Sequence, residues 1–323
     1  MLPLLIPPAA AALTAVLLAW LLRDGHALPL DHPNERSLHA RPIPRVGGLA
    51  IFATAVPALL LLQWSLLGTL LAAALAALSF LDDRSSLPIA ARFGAHAIAA
   101  TGFVLIVLSD VPPLAAPLLI VSVMWMTNLY NFMDGSDGLA GGMALFGFGT
   151  YAVGAWLGGD IGLALACATL AACGAAFLLF NFHPARVFMG DAGSVPYGFL
   201  AGAIGLQGWN AALWPLWFPV LAFSPFVVDA SVTLARRILR GEKFWRPHRS
   251  HYYQRLVQLG WGHRRTALAE YALMAACSVA ALGAAHAALA YQAAALAGTT
   301  VLYVVLAAVI DRAWKASPHA RTV

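Results

Sequence analysis

The chain has 323 residues, 61% of them hydrophobic and only 10% charged, with a formal net charge of +5. So small a charged fraction excludes an ordinary soluble domain and indicates a polytopic membrane protein. Neither zinc-finger spacing nor an aromatic-interleaved basic patch accompanies the positive charge, so it is not a nucleic-acid signature.

At roughly 20 apolar residues per crossing, the chain divides into about eleven spans. They fall near residues 3–22, 46–63, 66–81, 93–109, 114–133, 139–158, 161–180, 194–208, 211–231, 266–289 and 291–310, which predicts an all-α transmembrane bundle. The first has no basic region ahead of it and contains Pro7-Pro8, so it reads as a transmembrane helix and not as a cleaved signal. Cys167, Cys173 and Cys277 lie inside apolar runs without Cys-x-x-Cys spacing, which argues against a disulfide framework or a cysteine metal site. Small-residue runs such as Ala72 to Ala77 suit close helix packing.

The connections alternate in charge. Loops 23–45, 82–92, 134–138, 181–193 and 232–265, with the tail from Asp311, hold all 19 lysines and arginines. The opposite connections hold none. By the positive-inside rule the basic side is cytoplasmic, so the N-terminus faces out and the C-terminus in. The basic layer then faces anionic lipid head groups. Short outer connections, such as Gly158-Gly159-Asp160, leave no room for an external domain. Residues 1–323 are therefore expected to form one integral-membrane domain whose site is built from the five cytoplasmic loops.

In chain order, the first of these loops runs from Asp31-His32-Pro33-Asn34-Glu35-Arg36-Ser37 to Pro42-Ile43-Pro44-Arg45-Val46-Gly47-Gly48. Its prolines make it a stiff, shaped segment, and its arginines place positive charge beside the carboxylates. Asp82-Asp83 closes the third span. Asn128, Asn131, Asp134 and Asp137 follow at i, i+3, i+6 and i+9 and drift along one helical face, with Gly135 and Gly138 turning the backbone away. Asp191, in Gly190-Asp191-Ala192-Gly193-Ser194, opens the eighth span, where glycines admit a phosphate close to the backbone. Asp229 lies near the end of the ninth. In the longest loop, Arg246-Pro247-His248-Arg249-Ser250-His251 would bring two histidines to one face of a helical turn, with Arg249 and Arg255 able to grip phosphate. His183 is a loop histidine, and His96, His286 and His319 are structural or solvated.

Six aspartates in one layer call for cationic partners, and an all-oxygen ligand set favours Mg2+ or Mn2+ over zinc. Cations beside carboxylates and a metal suit a polyanionic substrate such as a diphosphate.

These motifs, in this order on successive cytoplasmic loops, resemble the polyprenyl-phosphate N-acetylhexosamine-1-phosphate transferases. That family includes the enzymes that initiate O-antigen and enterobacterial common antigen and the phospho-MurNAc-pentapeptide translocase. The resemblance rests on Pro33-Asn34-Glu35-Arg36-Ser37 with Pro44 to Gly48, Asp82-Asp83, Asn128-x-x-Asn131-x-x-Asp134-Gly-x-Asp137-Gly-Leu139, Phe188-Met189-Gly190-Asp191-x-Gly193-Ser194 and His248-Arg249-Ser250-His251. It implies a bacterial inner-membrane enzyme in which a lipid phosphate attacks the β-phosphorus of a UDP-sugar and releases UMP. Asp191 would ligate Mg2+, with Asn131 as a second ligand. Asp82 or Asp83 would deprotonate or position the lipid phosphate, and Asn128, Asp134 and Asp137 would shape the uridine and cation site. Arg45, Arg92, His248, Arg249 and His251 would bind phosphate and sugar. The implied partners are undecaprenyl phosphate, a UDP-N-acetylhexosamine and membrane lipids, and a homodimer is compatible with the sequence. The peptidoglycan branch carries adjacent histidines in its last loop where this chain has His248-Arg249-Ser250-His251-Tyr252-Tyr253. That difference favours UDP-GlcNAc or a deoxy relative, with lipid I synthesis as the alternative. A secondary transporter is the rival from another class; the missing inverted repeat and the one-sided carboxylates count against it.

Overall fold

The computed structural model describes residues 2–23, 28–33, 38, 41–85, 87–108, 111–243 and 248–317. A 3-10 turn leads into α1 (Ile6–Leu21), and a short antiparallel pair, β1 (Leu30–Asp31) and β2 (Ile43–Pro44), follows. The rest is helical: α2 (Gly47–Leu61), α3 (Leu66–Ser85), α4 (Ile89–Val107), α5 (Ala116–Met133), α6 (Leu139–Leu157), α7 (Ile161–Asn181), α8 (Asp191–Asn210), α9 (Trp217–Ala222), α10 (Ser224–Leu239), α11 (Tyr252–Leu256), α12 (Gly262–Ala284) and α13 (Leu289–Ala316). The expected all-α membrane architecture is present, and among the described residues eight helical segments are long and apolar enough to cross a membrane.

The eleven expected spans are not all of that kind. The second is the short α2, of 15 residues. The eighth is α8, whose Gly, Ser and Gln positions make it less apolar and whose residues are nearly all buried by neighbouring helices. The ninth, expected over 211–231, is two helices that break at Phe223, between Pro219 and Pro225. A proline lacks the N–H an α-helix needs in its interior but fits the first turn, and Pro225 occupies the first turn of α10.

The aromatic core gathers around α5, α6 and α8. Tyr130, Tyr151 and Tyr197 are fully buried and pack their rings with Phe148, Phe223 and Phe226 at centroid separations of 5.1 to 6.5 Å. Each of these three tyrosine hydroxyls donates to a backbone carbonyl, of Ala140, Ala201 and Leu170 respectively, so each buried phenol of the three has a partner.

One crossing fixes the site. The N–H groups of Gly47 and Gly48 donate to the carbonyls of Phe188 and Met189 at 3.0 and 2.8 Å, and Phe188 N–H donates to Pro44 at 2.8 Å. A Cβ on Gly48 would collide with the backbone of Ala192 and Gly193. Glycine therefore lets the start of α2 lie against the start of α8, which brings Arg45 to Asp191.

Candidate active site

The aspartate pair is helical and not part of a long loop as expected: α3 continues to Ser85 and α4 begins at Ile89, so Asp82 and Asp83 occupy the last turns of α3 and Arg92 the first turn of α4. Neighbours on a helix point about 100° apart, and the two carboxylates have different partners. Asp82 accepts from Leu87 N–H at 2.6 Å and from Arg92 at 3.0 Å. Asp83 Oδ1 lies 3.4 Å from the Arg45 guanidinium, while its Oδ2 is buried with no hydrogen-bond partner in the protein. Arg45 also donates to Asp191 at 3.2 Å and so bridges α3 and α8. These carboxylates hold the guanidinium in its charged form against the cost of burying it.

Asp191 opens α8, where the helix dipole favours a carboxylate. Gly190 precedes it with φ of +70°, a conformation that bends the chain into the helix and suits glycine. Gly190 N–H donates to Asp134 at 3.1 Å. Burial pushes the Asp134 carboxyl up to about 7, against the pull of Arg45. Asn131 donates to Ser194 at 2.9 Å, and Asn128 donates to the Met124 carbonyl at 2.8 Å.

A cavity of about 80 Å3 is enclosed by α3 (Leu78, Ser79, Asp82), α4 (Arg92, Phe93, His96), α5 (Asn128, Asn131, Phe132) and α8 (Asp191, Val195). It brings together five of the expected site residues: Asp82, Arg92, Asn128, Asn131 and Asp191. The volume suits a few waters or one phosphate-sized group, so a larger substrate must extend onto the open face.

Other expected residues hold loops together. Asp137 Oδ2 lies 2.7 Å from His183 Nδ1 and accepts from Ala185 N–H at 3.1 Å. His263, stacked on His183 at 5.6 Å, lies 2.8 Å from Ser136 Oγ and 3.2 Å from the Leu38 carbonyl. Asp229 accepts from the N–H groups of Tyr252 and Tyr253 at the start of α11 and lies 3.2 Å from His251 Nδ1. His248 and His251 have rings 4.9 Å apart as expected, although the segment preceding α11 brings them together and not a helical turn. Burial and the neighbouring His251 and Arg237 push the His248 imidazole down to about 3. Its Nδ1 lies 2.9 Å from Ser250 Oγ. Arg249 is exposed. Arg255, expected to be available to phosphate, instead donates to Asp311 at 2.9 Å and lies over the Tyr252 and Trp314 rings. Tyr253 joins this loop to the cavity, its hydroxyl donating to the carbonyl of Phe132 at 3.4 Å. Asn34, Glu35, Arg36 and Ser37 of the first loop, and Arg246-Pro247 of the last, lie outside the described residues.

Nothing in the sequence singles out His263, whereas His96, expected to be structural or solvated, lines the cavity. Its position four residues after Arg92, one turn along the same helix face, is the signal that could have flagged it.

A family model for glycosyl transferase family 4 matches residues 64–208. The chain is 31% identical over 262 residues to a probable undecaprenyl-phosphate N-acetylglucosaminyl 1-phosphate transferase of Bacillus subtilis strain 168, covering 75% of this chain and 73% of that protein. It is 28% identical over 267 residues to the undecaprenyl-phosphate alpha-N-acetylglucosaminyl 1-phosphate transferase of Yersinia pestis, covering 73% and 71%. Similarity to a phospho-N-acetylmuramoyl-pentapeptide-transferase of Geobacillus sp. strain WCH70, at 34% over 159 residues, spans only 48% of this chain and 47% of that one.

Proposed function

This chain belongs to glycosyl transferase family 4, and on that premise we propose that it transfers N-acetylhexosamine-1-phosphate from a UDP-sugar, UDP-GlcNAc or a deoxy relative, to undecaprenyl phosphate. The product is a sugar-diphospho-lipid that starts O-antigen or a related envelope glycan. The protein sits in the bacterial inner membrane with its N-terminus outside and its C-terminus and site in the cytoplasm. The observation that carries the reading is the cavity, where Asp82, Arg92, Asn131 and Asp191 meet at the ends of four helices on the basic side of the molecule.

An oxygen of the lipid phosphate, already anionic, attacks the β-phosphorus of the donor; the bond from that phosphorus to the bridging oxygen breaks, and UMP leaves with the electron pair. Little proton chemistry is required, so the protein contributes positioning and charge compensation. Arg92 and Arg45 flank the cavity and the Asp83–Asp191 pair, where they can meet the equatorial oxygens of the transferring group. Asp82, held by Leu87 N–H and Arg92, faces the cavity as the group that orients the incoming phosphate or takes its residual proton. Asp134 borders the uridine side, and the loop of His248, Arg249 and His251 covers the sugar.

Mg2+ fits this reading as a shared ligand. Among the described residues, no three acidic, His or Cys side chains converge as a metal site, but Asp191 and Asn131 offer oxygens in one cavity. Mg2+ is commonly held by one or two protein oxygens, with substrate phosphates and waters completing its shell. Bound there it would neutralise diphosphate charge, and Mn2+ could serve in its place.

The test is UMP release by the purified protein supplied with Mg2+, undecaprenyl phosphate and a panel of UDP-sugars. UMP is expected with UDP-GlcNAc or a deoxy relative and not with UDP-muramoyl-pentapeptide. No UMP from any UDP-N-acetylhexosamine would overturn the reading. A preference for the muramoyl donor would replace it with lipid I synthesis.

A further inference from the structure

The cavity has two levels. Asp82, Arg92, Asn131 and Asp191 form the upper one, at the ends of their helices. Leu78, Ser79, His96, Asn128 and Val195 form the lower one, each three or four residues further into the same helix and so about 4.5 to 6 Å deeper into the bundle. The upper level is charged; the lower is apolar except for the Ser79 hydroxyl, one imidazole and one amide, the last two of which lie beside each other. Phe93 of α4 and Phe132 of α5, 46% and 44% exposed, form the rim at the seam between those helices.

His96 is only 7% exposed, and its Nδ1 is buried without a hydrogen-bond partner in the protein. Arg92 Nε, one turn above on the same face of α4, is also buried and unpartnered. Buried polar atoms left unpaired are costly and call for a partner. The two side chains line a phosphate-sized cavity one turn apart on α4, a spacing that suits two contacts to a single phosphate. Two phosphate-bearing substrates reach the site, by different routes. A nucleotide sugar arrives from water and meets the charged upper level first. A phosphate carried on an isoprenoid chain arrives from the bilayer and passes the aromatic rim to the lower level.

We infer that His96, with Asn128 beside it and Arg92 above it, forms the subsite for the acceptor lipid's phosphate, and that His96 sets affinity for the acceptor and not for the nucleotide sugar. The inference rests on the transferase reading proposed above and adds a residue that the family motifs in this chain do not include.

Its test uses the full-length protein in nanodiscs. His96→Ala should raise the KM for undecaprenyl phosphate about tenfold, the scale of one lost hydrogen bond to a charged group, and leave the KM for UDP-GlcNAc within about twofold. His96→Gln, which keeps a hydrogen-bonding side chain of similar reach, should recover part of the loss. Direct binding of undecaprenyl phosphate, read by native mass spectrometry, should weaken in parallel in His96→Ala, while UDP-GlcNAc binding read by calorimetry holds and shows that the fold is intact. Equal loss of both substrates, or unchanged acceptor binding, would overturn the inference while UMP release by the wild type leaves the transferase reading standing. A wild type that binds no polyprenyl phosphate and releases no UMP would overturn both.

Discussion

Arg45 pairs with two carboxylates from different helices, Asp83 at 3.4 Å and Asp191 at 3.2 Å. A layer of aspartates read from sequence calls for cations, and the folded chain supplies part of them with Arg45 and Arg92. Asp191→Asn keeps the shape of the side chain but removes the charge that Arg45 and an incoming cation share. UMP release should fall by about 10²–10³-fold or more, with the detergent-purified protein eluting and unfolding as the wild type does; near-normal turnover across Mg2+ concentrations would contradict its role. His248 gives a pH prediction. Its folded pKa of about 3 lies below the ordinary imidazole value of 6.5, so between those values the unfolded chain binds more protons than the native one. Stability from this group is complete above about 6.5 and is lost as pH falls through that window. His248→Gln should flatten the acid side of a plot of Tm against pH, and an unchanged slope would refute the assignment. At this scale the sequence was most legible in grouping Asp82, Asn131 and Asp191, which the fold brings to one cavity. It was opaque for Asp137 and Asp229, because nothing local shows that His183, His263 or the first turn of α11 will reach them from 22 to more than 100 residues away.

Among elements, the contact of α2 with α8 positions the arginine, and it depends on an absent side chain. Gly48→Ala puts a methyl group into the backbone of Ala192 and Gly193. Overpacking of that kind costs about 1–3 kcal/mol. The variant should show a lower Tm and a reduced kcat, since Arg45 and Asp191 shift together; wild-type values for both would show that the crossing does not matter. α11 offers a second case. Asp311 of α13 accepts from Arg236 of α10 and Arg255 of α11, so the last helix, which buries none of its own residues, clamps the segment that carries His248 and His251. Asp311→Asn should raise the KM for UDP-GlcNAc several-fold, about 1 kcal/mol, through a looser His loop, checked by hydrogen exchange over α11; unchanged exchange there would exclude the clamp. Apolar runs and glycine pairs were readable in the sequence. The division of residues 211–231 into α9 and α10 was signalled by Pro215, Pro219 and Pro225, but hydropathy averages across prolines and reads one span.

Over the whole molecule, the distribution of charge along the sequence is the strongest single regularity: all 19 lysines and arginines fall within segments 23–45, 82–92, 181–193 and 232–265 and the tail from Asp311. That pattern, with the apolar runs, made the helical membrane bundle readable before any packing was known. It could not convey the two-level cavity, because depth within a site depends on how four helices align along their axes. If the sidedness holds, single cysteines placed at Asp160 and at Arg249 should label from opposite sides of sealed inner-membrane vesicles, and labelling of both from one side would invert or remove the topology. The central claim, that this face joins a nucleotide sugar to a lipid phosphate with transfer of the β-phosphorus, is tested most directly with UDP-GlcNAc labelled at that phosphorus. The account predicts that, in the presence of undecaprenyl phosphate and Mg2+, the label moves into the lipid fraction while unlabelled UMP is released. Label left in water-soluble UDP, with unlabelled sugar on the lipid, would mark simple glycosyl transfer and contradict it.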